Sequence, residues 1–512
     1  MQDDTIFELY KPLRNHLRQF PLNESLGVIR AYAQNLQFNQ PLSKDIQVDI
    51  SFLRLNKVEK RIYEWELDIL AKEIILNSPD LASKTLRHWQ HFSSTVNKLK
   101  DLENNISIHF NSILGKNILL ELYRISHRQF PWQRLPNQIW MTRYYKIFGQ
   151  TDIDAIIQKI IGLTIKEIYI LGMALTGVYL TYFALDYPPS LEIIGINKVK
   201  FDKFLNYFST DIDTMKKDIK ESQSYNQDYA YSLNPLRIKP LIRMFHNGKD
   251  SLICPIPTFL FKRFTKGLYY EIYKDSAFAN PFGASFQKYI GEAIEKANTK
   301  NKYKIFPEAE YHIGKDRKDT IDWIVADSHC NLFIECKTKK LRAGAKIALI
   351  NNTALNEDLD LMAGFIEQSY KTIIDYQQNH YPNLKNNSKP VFPIIVTLEE
   401  WFAYGDAIIL ELDKRVAIKL STLGIDDSIM QQMPYSICSA DDFEKIMQII
   451  DSVGIKKVMD NKTIGEKRLW EFRQVVFNDF NQEFINTKSL FPNDFEEISP
   501  DFLSKLQYEE KT

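Results

Sequence analysis

The sequence predicts an α/β fold: a mixed sheet flanked by helices in the middle of the chain, a mainly α-helical N-terminal half and a helical C-terminal segment. Three observations predict it. From Met1 to about Asp250 apolar residues recur at helical spacing, as Leu67, Leu70, Ile74 and Ile75 do. In the middle, the β-branched and apolar runs Thr320–Val325, Leu332–Lys337, Val391–Leu398 and Ala407–Leu412 read as strands, with a helix over Asp358–Tyr376 between them. Strand, strand, helix, strand describes an α/β core. From Asp426 on helices return, with Ser439–Asp442 as a cap before FEKIMQIIDSVG.

Composition bounds the class before any element is placed. A chain of 512 residues is long enough for roughly two to four domains. Hydrophobic residues at 44% and charged residues at 25% are ordinary for a globular protein. Lysine plus arginine equal aspartate plus glutamate at 65 each, so a nucleic-acid partner would have to be held by a local patch. Cys254, Cys330, Cys336 and Cys438 show no CxxC and no Cys/His metal spacing, which suits a reducing cytoplasm. The opening MQDDTIFELYKPLRNHL is unlike a secretory signal, so a cytoplasmic location is expected.

In chain order, residues 1–230 read as a helical recognition or regulatory region through which a protein partner or a second copy would associate. The run Ile168–Leu185 carries no charge and approaches the length of a membrane span. Its threonines, glycines and tyrosines make it a buried core helix instead, and no membrane partner is expected. Asp152–Leu185 reads as a helical hairpin rather than a helix-turn-helix, because its second helix is too apolar to face DNA. A boundary is expected in the polar stretch Ser222–Tyr231, followed by a second domain over 231–415 and a third segment over 416–512. Between Arg237 and Tyr270, Lys262, Arg263 and Lys266 alternate with Phe261, Phe264 and Tyr269. That interleaving suits nucleic acid, but an amphipathic connector is the plainer reading.

Phe282–Ala297 should be a helix with Asn280 as its cap, Pro281 in the first turn, and Phe282, Phe286, Ile290, Ala293 and Ala297 on one apolar face. The sequence then reaches KDTIDWIVADSHCNLFIECKTKK, Lys318 to Lys340. Two strands joined by the polar turn Asp327–Asn331 form a hairpin. With side chains alternating in period two, Asp322, Glu335 and Lys337 meet at one sheet end. Two carboxylates and a lysine suit metal-assisted hydrolysis of a phosphodiester: hard oxygens hold Mg²⁺, and the lysine steadies the attacking water or the phosphate charge.

Asp322 followed by Glu335-Cys336-Lys337 resembles the PD-(D/E)xK nuclease superfamily, the restriction-endonuclease-like fold, over about Ala279 to Ile409. Ile321 stands where that signature has proline. The resemblance implies a metal-dependent nuclease with Asp322, Glu335 and Lys337 catalytic, Mg²⁺ (or Mn²⁺ in its place) on Asp322 and Glu335, and Glu292 as a further metal carboxylate from the preceding helix. Glu308 and Glu310 are weaker alternatives for that role. It also implies nucleic acid, DNA foremost, as substrate, in prokaryotic anti-phage defence or DNA repair. The basic run Lys339, Lys340, Arg342 and Lys346 leaves the catalytic strand where phosphates would lie, and so reads as a backbone contact. Gln368 falls on the helix face away from the sheet and is given no part. The competing reading is a non-catalytic nucleic-acid-binding or scaffolding protein on the same fold.

Overall fold

The computed structural model describes residues 4–47, 62–114, 118–133, 137–188, 197–342, 346, 353–494 and 498. It is a mixed α/β protein whose described strands form two sheets and a ribbon. In the first sheet, β1 (Ala184–Asp186), β2 (Ser209–Asp211), β3 (Leu241–His246) and β4 (Lys249–Ile253) stand in the order β1-β4-β3-β2. It lies within the part expected to be helix and connector. Its clearest sequence signal is Asn247-Gly248, where both residues take positive φ, 50° and 82°, to close the β3–β4 hairpin.

Next, β5 (Lys304–Pro307) leads into a separate ribbon of β6 (Glu310–Ile313) and β7 (Asp316–Asp319), turned at Gly314 with φ 61°. The chain returns through β8 (Trp323–Ala326), β9 (Asn331–Lys337), β10 (Val391–Thr397) and β11 (Ser436–Ser439). The second sheet has the order β11-β10-β9-β8-β5. Here β8 runs antiparallel to β5 and β9, while β9, β10 and β11 are mutually parallel. Parallel neighbours need crossovers, and the helices Thr353–Gln377 and Asp406–Thr422 supply them.

Several expectations change. Ala407–Leu412 is not a strand but the start of the Asp406–Thr422 helix. A short apolar run satisfies either period, and burial of Ile408, Leu412, Val416 and Leu420 at four-residue spacing decides for helix. Asn280 does not cap its helix, which already begins at Ala279. The uncharged run divides into the helix Ile165–Thr181, boxed at its start by Thr164 and Glu167, and strand β1. Ile168, Leu171, Leu175 and Tyr179 of that helix are fully buried. The preceding helix, Thr151–Ile161, meets it at 66°, and no single described helix is long and apolar enough to cross a membrane.

The expected divisions at 230/231 and 415/416 do not separate cores. Tyr10, Leu26, Leu70 and Phe92 share one apolar cluster with Ile242, Ile253 and Phe259. Tyr144, Ile147 and Phe148 share another with Phe286, Ile334, Val396 and Phe443. Position 415 lies inside a helix. Polar composition marks a surface segment, but contiguity of buried side chains defines a domain, and that is set by long-range packing.

Candidate active site at the end of strands β8 and β9

Strand pairing builds this site. β8 and β9 are in the register Trp323↔Ile334 and Ile324↔Phe333, so one step further Asp322 opposes Glu335. Directly opposed residues point to the same face. That face carries Ile324 and Phe333, which pack on Met362, Ile366 and Tyr370 of the 353–377 helix. The other face carries Val325, Leu332 and Ile334 and is covered by the helix Ala279–Ala297. Close approach there depends on Gly291, where a Cβ would lie 2.1 Å from the Trp323 ring. The Trp323 indole N–H donates to the Gln287 carbonyl at 2.9 Å and fixes β8 against that helix.

Asp322 Oδ2 accepts the Cys336 backbone N–H at 2.6 Å. Lys337 Nζ lies 2.6 Å from Glu335 Oε1, donates to Gln368 Oε1 at 3.3 Å, and sits 4.8 Å from the centre of the Phe365 ring. Gln368 therefore belongs to the site, contrary to its helical-wheel position. Lys337 ends β9, and its long side chain reaches past the sheet to the helix margin where Phe365 and Gln368 stand one turn apart. A wheel drawn on the helix alone has no means of showing that reach.

Burial, and then the Glu335 charge, push the Asp322 carboxyl well up from the usual carboxylate range, against the pull of the Cys336 N–H and Lys337. Burial also raises Glu335, with Lys337 opposing. Two desolvated carboxylates thus face each other with one ammonium in contact. Hard oxygen donors in that state, short of positive charge, fit a divalent cation such as Mg²⁺.

Other expected residues fall elsewhere. Glu292, on the helix covering the opposite sheet face, pairs with Lys146 at 2.9 Å, which also holds Asp494 at 2.6 Å. Glu308 follows β5 directly opposite Asp322, its N–H donating to the Asp322 carbonyl at 2.9 Å. It lies on the site's face, adds negative potential to both Asp322 and Glu335, and is steadied by Gln287 at 2.9 Å. Glu310 begins the ribbon and pairs with Arg317 at 2.8 Å.

The basic run does not form one open row. Lys340 is 6% exposed and pairs with Glu399 at 2.7 Å. Arg342 is held by Asp358 at 2.8 Å and by Glu357. Lys339 and Lys346 have no ion pair among the described residues; the Lys339 carbonyl accepts the Trp401 indole N–H at 3.1 Å. Charge spacing identified the cations, but not the carboxylates folded against two of them.

A group the sequence analysis missed lies past the ends of β10 and β11. Carboxylate oxygens of Glu400, Asp442 and Glu471 come within 4.8 Å of one another. They derive from three distant segments, and Asp442 is already bound by Arg473 at 2.9 Å.

Fold and site together define an α/β protein with opposed carboxylates and a lysine at the end of a central sheet. No protein-family model matches the chain, and no curated protein matches it. Among solved structures it is similar to the crystal structure of protein VC1899 from Vibrio cholerae at 9% identity and a TM-score of 0.18. That match covers 62% of this chain and 57% of the other, so the chain spans little over half of that protein. A likeness this slight carries no argument.

Proposed function

We propose that this chain is a divalent-metal-dependent phosphodiesterase of the PD-(D/E)xK type, acting on nucleic acid and on DNA foremost. One observation carries the reading: Asp322 and Glu335 are opposed and desolvated, with Lys337 held beside Glu335 by Gln368 and Phe365. Asp322 and Glu335 would hold Mg²⁺, which supplies polarisation of the phosphoryl group and a more acidic water. The Cys336 N–H keeps the Asp322 carboxylate oriented. Lys337 presents its ammonium to the water or to the phosphate oxygens, where it matters most as charge builds in the transition state. Gln368 limits the directions that ammonium takes. By the resemblance, the setting is prokaryotic defence against phage or DNA repair, in the cytoplasm.

The test is hydrolysis of plasmid, linear and single-stranded DNA and of RNA by the purified protein, with Mg²⁺, with Mn²⁺ and with chelator. Metal-dependent cleavage lost in Glu335→Ala and Lys337→Ala supports the reading. Binding without cleavage under every metal condition supports the non-catalytic alternative.

A further inference from the structure

Between the helical region and the central sheet runs a row of lysines seated on aromatic rings. Lys262 Nζ lies 4.2 Å from the centre of the Trp132 ring, and the Arg237 guanidinium lies 5.9 Å from the same ring. Four residues on, past the end of that helix, Lys266 Nζ lies 5.0 Å from the Trp140 ring. Lys340 Nζ comes within 3.4 Å of the Lys266 carbonyl and stands 4.3 and 5.0 Å from the Tyr269 and Tyr270 rings. Lys340 is three residues beyond Lys337, on the chain that leaves β9. Arg237, Lys262, Lys266, Tyr269 and Tyr270 belong to the alternation that reads in the sequence as a connector.

One feature distinguishes the row from a neutral salt-bridge lattice. The Lys262 ammonium itself is buried on Trp132, and burial holds it well below the usual lysine range, so the charge of the row lies further on. Burial alone would raise Glu399, yet Lys340, Lys266 and Lys346 pull it down to about 2, so positive potential dominates there. Beside the row, Tyr270 is 52% and Tyr273 43% exposed. Tyr273 also lies parallel to Tyr269, with centroids 5.5 Å apart and planes at 9°.

We propose that this row seats an unpaired polynucleotide strand, its phosphates on Lys266 and Lys346 and its bases on Tyr270 and Tyr273, and leads it toward Lys337. The inference rests on the phosphodiesterase reading for its direction, but on charge and rings for its chemistry. Cations held in sequence follow a backbone, and exposed rings gain from bases only where those bases are unstacked. A duplex turns its bases inward and offers the tyrosines nothing.

The experiment is fluorescence anisotropy with labelled oligo-dT, oligo-rU and a DNA duplex of equal length, in chelator so that nothing is cut. The single strands should bind at least about tenfold tighter than the duplex, and the dT and rU arms show which sugar is preferred. Tyr270→Ala and Tyr273→Ala, both at exposed positions, should each weaken single-strand binding about tenfold and leave duplex binding unchanged. Lys266→Gln with Lys346→Gln should flatten the salt dependence by about 0.7 per lost phosphate contact. Thermal unfolding of each variant reads folding separately. Duplex bound as tightly as single strand, or tyrosine variants that bind like wild type, would overturn the proposal. Hydrolysis of a small phosphodiester such as bis(p-nitrophenyl) phosphate needs no strand, so it reports on the catalytic reading alone.

Discussion

Asp322 and Glu335 oppose each other across the β8–β9 ladder, and Lys337 contacts Glu335 at 2.6 Å. Like charges at directly opposed positions destabilise a strand pair. The arrangement becomes favourable when a cation of higher charge joins the lysine, and the first prediction turns on that. Mg²⁺ or Mn²⁺ should raise the thermal midpoint of the wild type through binding to the folded state alone. In Asp322→Asn and Glu335→Gln the rise should shrink or vanish, while the midpoint without metal stays level or increases. Differential scanning fluorimetry with and without chelator measures both.

Lys337→Ala should lower turnover by about a hundredfold or more while KM changes little, because its ammonium acts on transition-state charge. The same change leaves Glu335 buried without its partner, costing about 3 kcal/mol of stability in the absence of metal. Gln368→Ala should keep stability and lose about tenfold in turnover, as expected of a group that orients another. Equal turnover in Gln368→Ala and wild type would remove Gln368 from the site.

Glu399 is held down to about 2 against an ordinary value of 4.5, with Lys340, Lys266 and Lys346 overcoming the effect of burial. A folded-state value below the unfolded one stabilises the fold above the unfolded value and loses that contribution as pH falls. The wild type should therefore lose stability between about pH 4.5 and 2, in part through Glu399. Glu399→Gln should be less stable at neutral pH and show a shallower decline over that window in urea titrations.

Gly291→Ala places a Cβ 2.1 Å from the Trp323 ring. Overpacking of this kind costs about 1–3 kcal/mol, and displacement of β8 should lower activity as well. Gly364→Ala is the contrasting case: on the 353–377 helix, with no atom within 4 Å of its added Cβ, it should be neutral or stabilising by up to about 1 kcal/mol. Comparing the two midpoints separates crowding from helix propensity.

Residues 231–512 expressed alone should be insoluble or unfolded. Deleting the first 230 residues takes Tyr144, Ile147 and Phe148 from the cluster that includes Phe286 and Ile334, and Leu70 and Phe92 from that of Ile253. A soluble, cooperatively melting fragment would show that the halves are independent after all.

The sequence by itself determined the hairpin strands, the helix between β9 and β10, the Ser439 cap and the convergence of Asp322 with Glu335, because each follows from local periodicity or turn chemistry. Alternation along two adjacent strands is enough to say which side chains share a face. Tertiary structure decided what those side chains meet. Gln368 reaches Lys337 from a helix whose own periodicity faces it away, Glu399 and Asp358 claim Lys340 and Arg342, and Glu308 stands nearer the site than Glu292, which answers to Lys146. It also joined the two halves through common cores across a stretch whose composition marks a linker. Those contacts pair residues far apart in the chain, where period and propensity carry no information, and desolvation and charge pairing in the packed protein select the partner.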